Sequence, residues 1–238
     1  MHKNKVAFIT GANKGLGFEI ARQLGQRGVT VALGARDDTR GNEAADKLKA
    51  EGIDAHAVKI DVTNEADVAA LPALFESKFG RLDILINNAG VMLDWGGVTR
   101  DTFHQTYETN VFAPYFITEA LLPLLKASPA GRIVNHSSSM GSMALMGDPN
   151  SFPPETVTPV YCSSKAALNM LTVTLARRLE GTNVKVNSAD PGWVKTDMGT
   201  EQAPLEVVDG AKTAVALALL PDDGPTGGYF HLGETLPW

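Results

Sequence analysis

Tyr161 and Lys165 lie four residues apart in a stretch whose apolar spacing predicts a helix over about 160–178, so they share one face, a turn apart. A free phenol titrates near ~10 and is a poor acid or base at neutral pH. An ammonium beside it stabilises the phenolate and draws that value down, which suits the pair to proton transfer. Ser138 closes a predicted strand that begins at Arg132, and Asn110 sits inside a long predicted helix over about 102–126, bent near Pro114. A serine hydroxyl beside the phenol can hydrogen-bond a carbonyl or alkoxide oxygen where charge develops. Strand alternation sends Ser137, Ser138 and Ser139 to opposite faces in turn, and His136 before them is expected to pack rather than to act as a base.

A second set of residues concerns a ligand. Thr10-Gly11-Ala12-Asn13-Lys14-Gly15-Leu16-Gly17 follows an apolar run, Val6 to Ile9, and opens a predicted helix over about 16–27. A strand that ends in glycines and opens a helix sets bare backbone N–H groups beside a helix N-terminus. The dipole there favours negative charge and the missing Cβ atoms admit close approach, so the turn is a site for a pyrophosphate. The spacing is Gly11-x-x-x-Gly15-x-Gly17 rather than G-x-G-x-x-G.

The rest of the chain must hold these two sets together. Short β-branched runs at 29–33, 55–60, 83–86, 132–135, 184–188 and 229–231 alternate with amphipathic stretches at 41–50, 102–126, 160–178 and 205–219. A further helix after Asp61-Val62 is capped by Thr63 or Asn64 and carries Val68, Leu71, Leu74 and Phe75 at helical spacing. The pattern predicts one α/β domain over 1–238, a Rossmann-type doubly wound parallel sheet of about seven strands with helices on both faces. Right-handed crossovers place every strand C-terminus, and so the ligand crevice, on one edge. The irregular proline-rich segment 141–159 is too long to be only a connector.

Bulk properties narrow the function. The 238 residues carry a net charge of −6 with no basic run, which gives nucleic-acid binding little support. The apolar stretch Thr213 to Leu220 is too short to span a bilayer, and the first strand begins too early to leave room for a signal peptide, so a cytoplasmic location is expected. The single cysteine, Cys162, allows no internal disulfide; helix geometry turns it about 100° from Tyr161, and it is expected to be buried rather than reactive. No Gly-x-Ser-x-Gly elbow is present, which removes a serine hydrolase from consideration.

Taken in order, Thr10-Gly11-x-x-x-Gly15-x-Gly17, Asp61-Val62, Asn87-Asn88-Ala89-Gly90, Asn110, Ser138, Tyr161-x-x-x-Lys165 and Pro191-Gly192-x-Val194-x-Thr196 resemble the short-chain dehydrogenase/reductase family over essentially the whole chain. The Gly-Ala-Asn-Lys-Gly-Leu-Gly turn and Ala35-Arg36-Asp37 resemble its NADPH-dependent carbonyl reductases. The resemblance implies reduction of a ketone or aldehyde to an alcohol, without a metal. Tyr161 would donate the proton, Ser138 (with Ser139 in reserve) would hold the oxygen, Lys165 would lower the phenol and bind the nicotinamide ribose, and Asn110 would position a water linking Lys165 to solvent. It also implies a cofactor site built from Gly11, Asn13, Lys14, Gly15, Leu16, Gly17, Arg36, Asp61, Val62, Asn88, Ala89, Gly90, Pro191, Gly192, Val194 and Thr196, together with Tyr161 and Lys165.

The choice of cofactor follows from charge. NAD enzymes place an acid after the second strand; here Ala35 is followed by Arg36, which suits a 2′-phosphate, and Lys14 adds a second positive charge, although Asp37 opposes them. NADP(H) is therefore expected. Two features depart from the family. Ser138 and Tyr161 are 23 apart, the extra length being the 141–159 loop, whose Met140, Met143, Leu145, Met146 and Phe152 either wall a substrate pocket or pack on themselves. Asp190 before Pro191 is unusual and has no explanation in the sequence. Substrate selectivity is assigned to 141–159, 92–97 and 198–205; oligomeric state, monomer or homo-oligomer, stays open. A non-catalytic NADP(H)-binding regulator and an alcohol dehydrogenase working oxidatively are the alternatives.

Overall fold

Residues 4–238 are described by a computed structural model, the Glu155 side chain excepted. Its sheet has the order β3-β2-β1-β4-β5-β6-β7-β8. The strands are β1 (Val6–Ile9), β2 (Thr30–Ala35), β3 (Ala55–Lys59), β4 (Ile84–Asn87), β5 (Arg132–His136), β6 (Lys185–Ala189), β7 (Tyr229–His231) and β8 (Glu234–Thr235). The first seven pair in parallel, and the order reverses between β1 and β4, where ligand crevices of such sheets open.

The helices are α1 (Gly15–Gly25), α2 (Asp38–Ala50), α3 (Glu65–Phe79), α4 (Arg100–Tyr107), α5 (Ala113–Ala127), α6 (Met143–Gly147), α7 (Pro159–Arg178), α8 (Val207–Gly210) and α9 (Lys212–Ala218). Alternation along the strands divides the core in two. Ala7, Ile9, Val31, Leu33, Ile84 and Ile86 pack with α1, α2 and α9 on one face. Val6, Phe8, Ala32, Leu85, Ile133 and Val186 pack with α3, α5 and α7 on the other. Both faces are covered, which is why the strands read as continuous apolar runs.

Several boundaries differ from the sequence expectation. The sheet has eight strands, not seven: β8 pairs antiparallel with β7 through Leu232 and Gly233, both at positive φ (46° and 92°), as a two-residue hairpin requires. The expected 102–126 helix is broken by a π-helical segment, Glu108–Phe112, just before Pro114. Pro114 has no N–H for the Asn110 carbonyl, and Ala113 N–H instead bonds the Glu108 carbonyl, five residues back. The 205–219 helix starts only at Val207, since Leu205 is held in a bridge with Val194, and it divides at Ala211 into α8 and α9. The 41–50 helix starts earlier, at Asp38, because Asp37 caps it by accepting from Arg40 N–H. Asn64, not Thr63, caps α3.

The 141–159 segment is not structureless. It contains α6 and a 3₁₀ turn at Pro154–Thr156, and the last residues of the chain brace it. Ser142 Oγ donates to the Pro237 carbonyl at 2.7 Å, and Ala144 N–H to the Trp238 carbonyl at 2.9 Å. None of the described helices is long and apolar enough to cross a membrane.

Candidate active site

At the end of β1 the chain turns through Gly11 (φ 63°) and Gly15 (φ 56°), a backbone region that favours glycine. Thr10, absent from the expected site list, holds this turn to its neighbour. Its Oγ1 accepts from the Asn88 and Ala89 N–H groups (3.0 and 2.9 Å), and Asn88 Nδ2 donates to the Thr10 carbonyl at 2.8 Å. A hydroxyl residue directly before the glycines was its signal in the sequence. Lys14 precedes α1 without a side-chain cap, so the first α1 N–H groups face the cleft for an anion.

A Cβ on Gly17 would meet the Gly11 carbonyl oxygen and Asn88 Nδ2 at 2.5 Å. Gly17→Ala should therefore deform the turn, cost about 1–3 kcal/mol of stability and abolish cofactor binding. Thermal melting with and without NADPH checks this; an NADPH-induced rise in Tm equal to that of the parent would contradict it.

This turn forms one wall of a cleft of about 920 Å³. Of the expected cofactor residues, Gly11, Asn13, Lys14, Gly15, Leu16, Gly17, Arg36, Asp61, Val62, Asn88, Ala89, Gly90, Tyr161, Lys165, Pro191 and Thr196 line it. Gly192 and Val194 do not. Gly192 turns at φ 75° against Leu205 and His231, and Val194 is buried behind the wall beside Gly210. None of the described residues of 141–159 lines the cleft. Thr63, His136 and Ser137 line it without having been expected.

Arg36, at the end of β2, is exposed, and Asp37 spends its carboxylate on the α2 cap. Lys14 pairs across the cleft with Asp197, an exposed pair of little energetic weight. Asp61 caps the following turn through Thr63 N–H and Oγ1 and is held below its usual range; burial opposes this, while Thr63, Arg36 and Lys59 favour the charge.

Tyr161 and Lys165, in the first two turns of α7, are both buried. Lys165 Nζ donates to the His136 carbonyl at 2.8 Å and stands 5.6 Å from the Tyr161 ring centre. The expected depression of the phenol by this lysine is not found. Burial is the largest influence on Tyr161 and pushes it up; the nearby Ser138 hydroxyl pulls it down, and Asp190 and Cys162 push it further up. Burial also drives Lys165 down, to about 8, so the group meant to supply positive charge is itself pressed toward neutrality. Of the three serines, Ser138 is the one whose hydroxyl draws the phenol down. Its Oγ also accepts from Met140 N–H.

Asn110 is fully buried in the π segment. Its Oδ1 accepts from Val91 N–H (2.9 Å), and its Nδ2 donates to the Val91 carbonyl (2.9 Å) and Ser164 Oγ (3.0 Å). Oδ1 and Lys165 Nζ flank the same point beside Gly90, within 3.4 and 3.6 Å of where a Cβ would stand. Cys162 is half-buried, 3.7 Å from Thr158 Oγ1.

The unexplained Asp190 ties two turns together. Its Oδ1 accepts from Ser139 N–H and Gly192 N–H, both at 3.1 Å, and Oδ2 faces His231 Nδ1 at 3.4 Å. The turn that carries Ser138 is thus braced to the Pro191-Gly192 turn. Burial raises Asp190, while the two N–H groups and His231 oppose the rise.

His136 does pack, as expected, and is also held by its ring. Nδ1 bonds Asn88 Oδ1 at 2.9 Å and so carries the hydrogen, while burial, with the Lys165 charge beside it, lowers the imidazole from 6.5 to about 3. The unfolded state then binds a proton that the folded state refuses between those values. Stability supplied by neutral His136 is complete above about pH 6.5 and is lost as pH falls toward 3. His136→Asn should flatten the fall of Tm over that window; an unchanged slope would refute the assignment.

A family profile described as short chain dehydrogenase matches residues 5–206. The chain belongs to the short-chain dehydrogenase family. Carbonyl reductase (NADPH) 1 of Mus musculus is 35% identical over 276 residues, covering 98% of this chain and 98% of that one. The (-)-isopiperitenone reductase of Mentha piperita is 34% identical over 308 residues, again covering 98% of each. Among solved structures, the NADPH-bound carbonyl reductase from chicken fatty liver superposes over the whole of both chains with a TM-score of 0.86 at 27% identity. The protein is therefore an oxidoreductase, and the resemblance read from the seven motifs agrees with the match.

Proposed function

We propose that this short-chain dehydrogenase is a carbonyl reductase that converts a ketone or aldehyde to an alcohol with Tyr161 as proton donor. The cofactor is NADP(H). The fit of the cleft supports it: Gly17 presses so closely on the Gly11 carbonyl that no Cβ is tolerated, and uncapped α1 N–H groups stand beside Arg36 and Lys14. Gly11 to Gly17 would hold the pyrophosphate, Arg36 and Lys14 the 2′-phosphate, and Asn88, Ala89, Gly90, Pro191 and Thr196 the remainder, with Gly192 and Val194 supporting that wall from behind. When bound, NADPH supplies the hydride.

The chain's own residues supply the rest. The Tyr161 phenol, which burial pushes above its ordinary value, is protonated at neutral pH, the state a proton donor needs. Ser138, near that phenol, would hold the carbonyl oxygen as it gains charge. Lys165, poised near 8, would gain or lose a proton readily and bind the ribose. Asn110 would hold a water between Lys165 and solvent, since its Oδ1 and Lys165 Nζ approach the same point beside Gly90. The single observation carrying this reading is that Tyr161 and Lys165 line the glycine-turn cleft together, with Ser138 beside the lining residue Ser137 and near enough to draw the phenol down.

The 141–159 segment, none of whose described residues lines the cleft, would border the substrate only on its outer side, where it leaves and returns near Ser138 and Tyr161; the whole of 1–238 then acts as one catalytic domain. NADPH consumption over a panel of aromatic, aliphatic and quinone carbonyls tests the reading. Turnover of at least one class is expected. Failure across the panel, with NADPH bound normally, would leave the non-catalytic binding protein as the better description.

A further inference from the structure

Helix α7 carries the reactive phenol in its first turn, where a helix is least secure. Of the N–H groups there, Pro159 has none and Cys162 bonds the Thr158 carbonyl at 2.9 Å, leaving those of Val160 and Tyr161 without an intrahelical acceptor. Thr158, at the N-cap, does not serve them; its hydroxyl faces Cys162 Sγ. Both are taken by a carboxylate from 66 residues upstream. Asp94 Oδ1 accepts from Val160 N–H at 2.9 Å, and Oδ2 from Tyr161 N–H at 3.2 Å.

We propose that Asp94 is the N-cap of α7 supplied from outside the helix, a positioning residue that sets where the Tyr161 phenol stands. Two charge-assisted bonds and a negative charge at the positive end of the helix dipole hold the turn that a local Ser, Thr or Asp usually holds. Asp94 sits in a 3₁₀ turn, Asp94–Gly96, at the end of the stretch leading out of Asn87-Asn88-Ala89-Gly90. Asn110 fastens that stretch at Val91 and also bonds Ser164 on α7. The strand-β4 turn is thereby pinned to α7 at two points, Asp94 at the first turn and Asn110 near the second. Lys165, a turn further in, is held by its own bond to the His136 carbonyl and depends less on Asp94.

This inference rests on Tyr161 being the proton donor, and the test separates the two. Asp94→Ala, Asp94→Asn and Tyr161→Phe are compared in the full-length protein for kcat and KM with a turned-over carbonyl, for NADPH Kd by fluorescence titration, and for Tm. Asp94→Ala should lower kcat roughly tenfold, the scale on which a misplaced reacting group loses rate, with NADPH Kd within about twofold of the parent. Asp94→Asn keeps one acceptor oxygen and should fall between. A kcat within about twofold of the parent for Asp94→Ala, or parallel losses of kcat and NADPH affinity, would overturn the proposal. If Asp94→Ala does not fold, Asp94→Asn is judged by the same two criteria. Full turnover by Tyr161→Phe would instead remove the proton-donor reading, whatever the Asp94 variants do.

Discussion

Tyr161→Phe should lower carbonyl reduction by about 10³-fold while leaving NADPH affinity within about twofold of the parent. The substitution removes one oxygen and keeps the ring, whose buried setting against Lys165 and Ser138 does not need the hydroxyl for packing. The backbone N–H of residue 161 still reaches Asp94, so the helix start stays in place. What disappears is a phenol that burial pushes above its ordinary value. The residual rate would come from Ser138 and from binding alone. Steady-state kinetics with an independent NADPH titration decide the matter. A loss below about tenfold would mean that the proton arrives from elsewhere, with water admitted through the cleft mouth as the first alternative.

Arg36→Asp should raise the KM for NADPH about a hundredfold and that for NADH only a few-fold. A charge-assisted bond is worth about 1.5–3 kcal/mol, and inverting the charge adds repulsion of a phosphate to the loss of the guanidinium fork. The rest of the 2′-phosphate end cannot readily compensate. Lys14 is shared with Asp197, and Asp61 would face a second carboxylate where it now has Arg36. Asp37, the acid that in the sequence argued against NADPH, is committed to the Arg40 N–H and the start of α2. Equal effects on both cofactors would show that Arg36 only faces solvent.

The features legible in the sequence are those whose physics is local. Glycines before a helix, Tyr161 and Lys165 at a four-residue spacing, and apolar runs alternating with amphipathic ones each follow from backbone geometry within a few residues. From them came the parallel sheet and the phosphate turn, and the family resemblance added the cofactor residues, of which sixteen of eighteen line the cleft. The misses share another origin. The break at Glu108–Phe112 arose because Pro114 withholds one N–H within a helix whose flanks still pack, and the buried Asn110 lies within it. The β7–β8 hairpin had no Asn-Gly signal, since Leu232 occupies a positive-φ site.

Sequence alone determined the order in which the chain delivers the candidate groups and most of those that line the cleft. Tertiary structure decided their state. Lys165 was expected to depress the phenol, but burial is the largest influence on each group, pushing the phenol up and the lysine down, and no spacing rule reports burial. The uses of Asp190 and Asp94 were likewise invisible, because each carboxylate bonds backbone N–H groups at least partly in turns dozens of residues away in the chain. Those donors have no side-chain identity to read; only the fold brings them within reach.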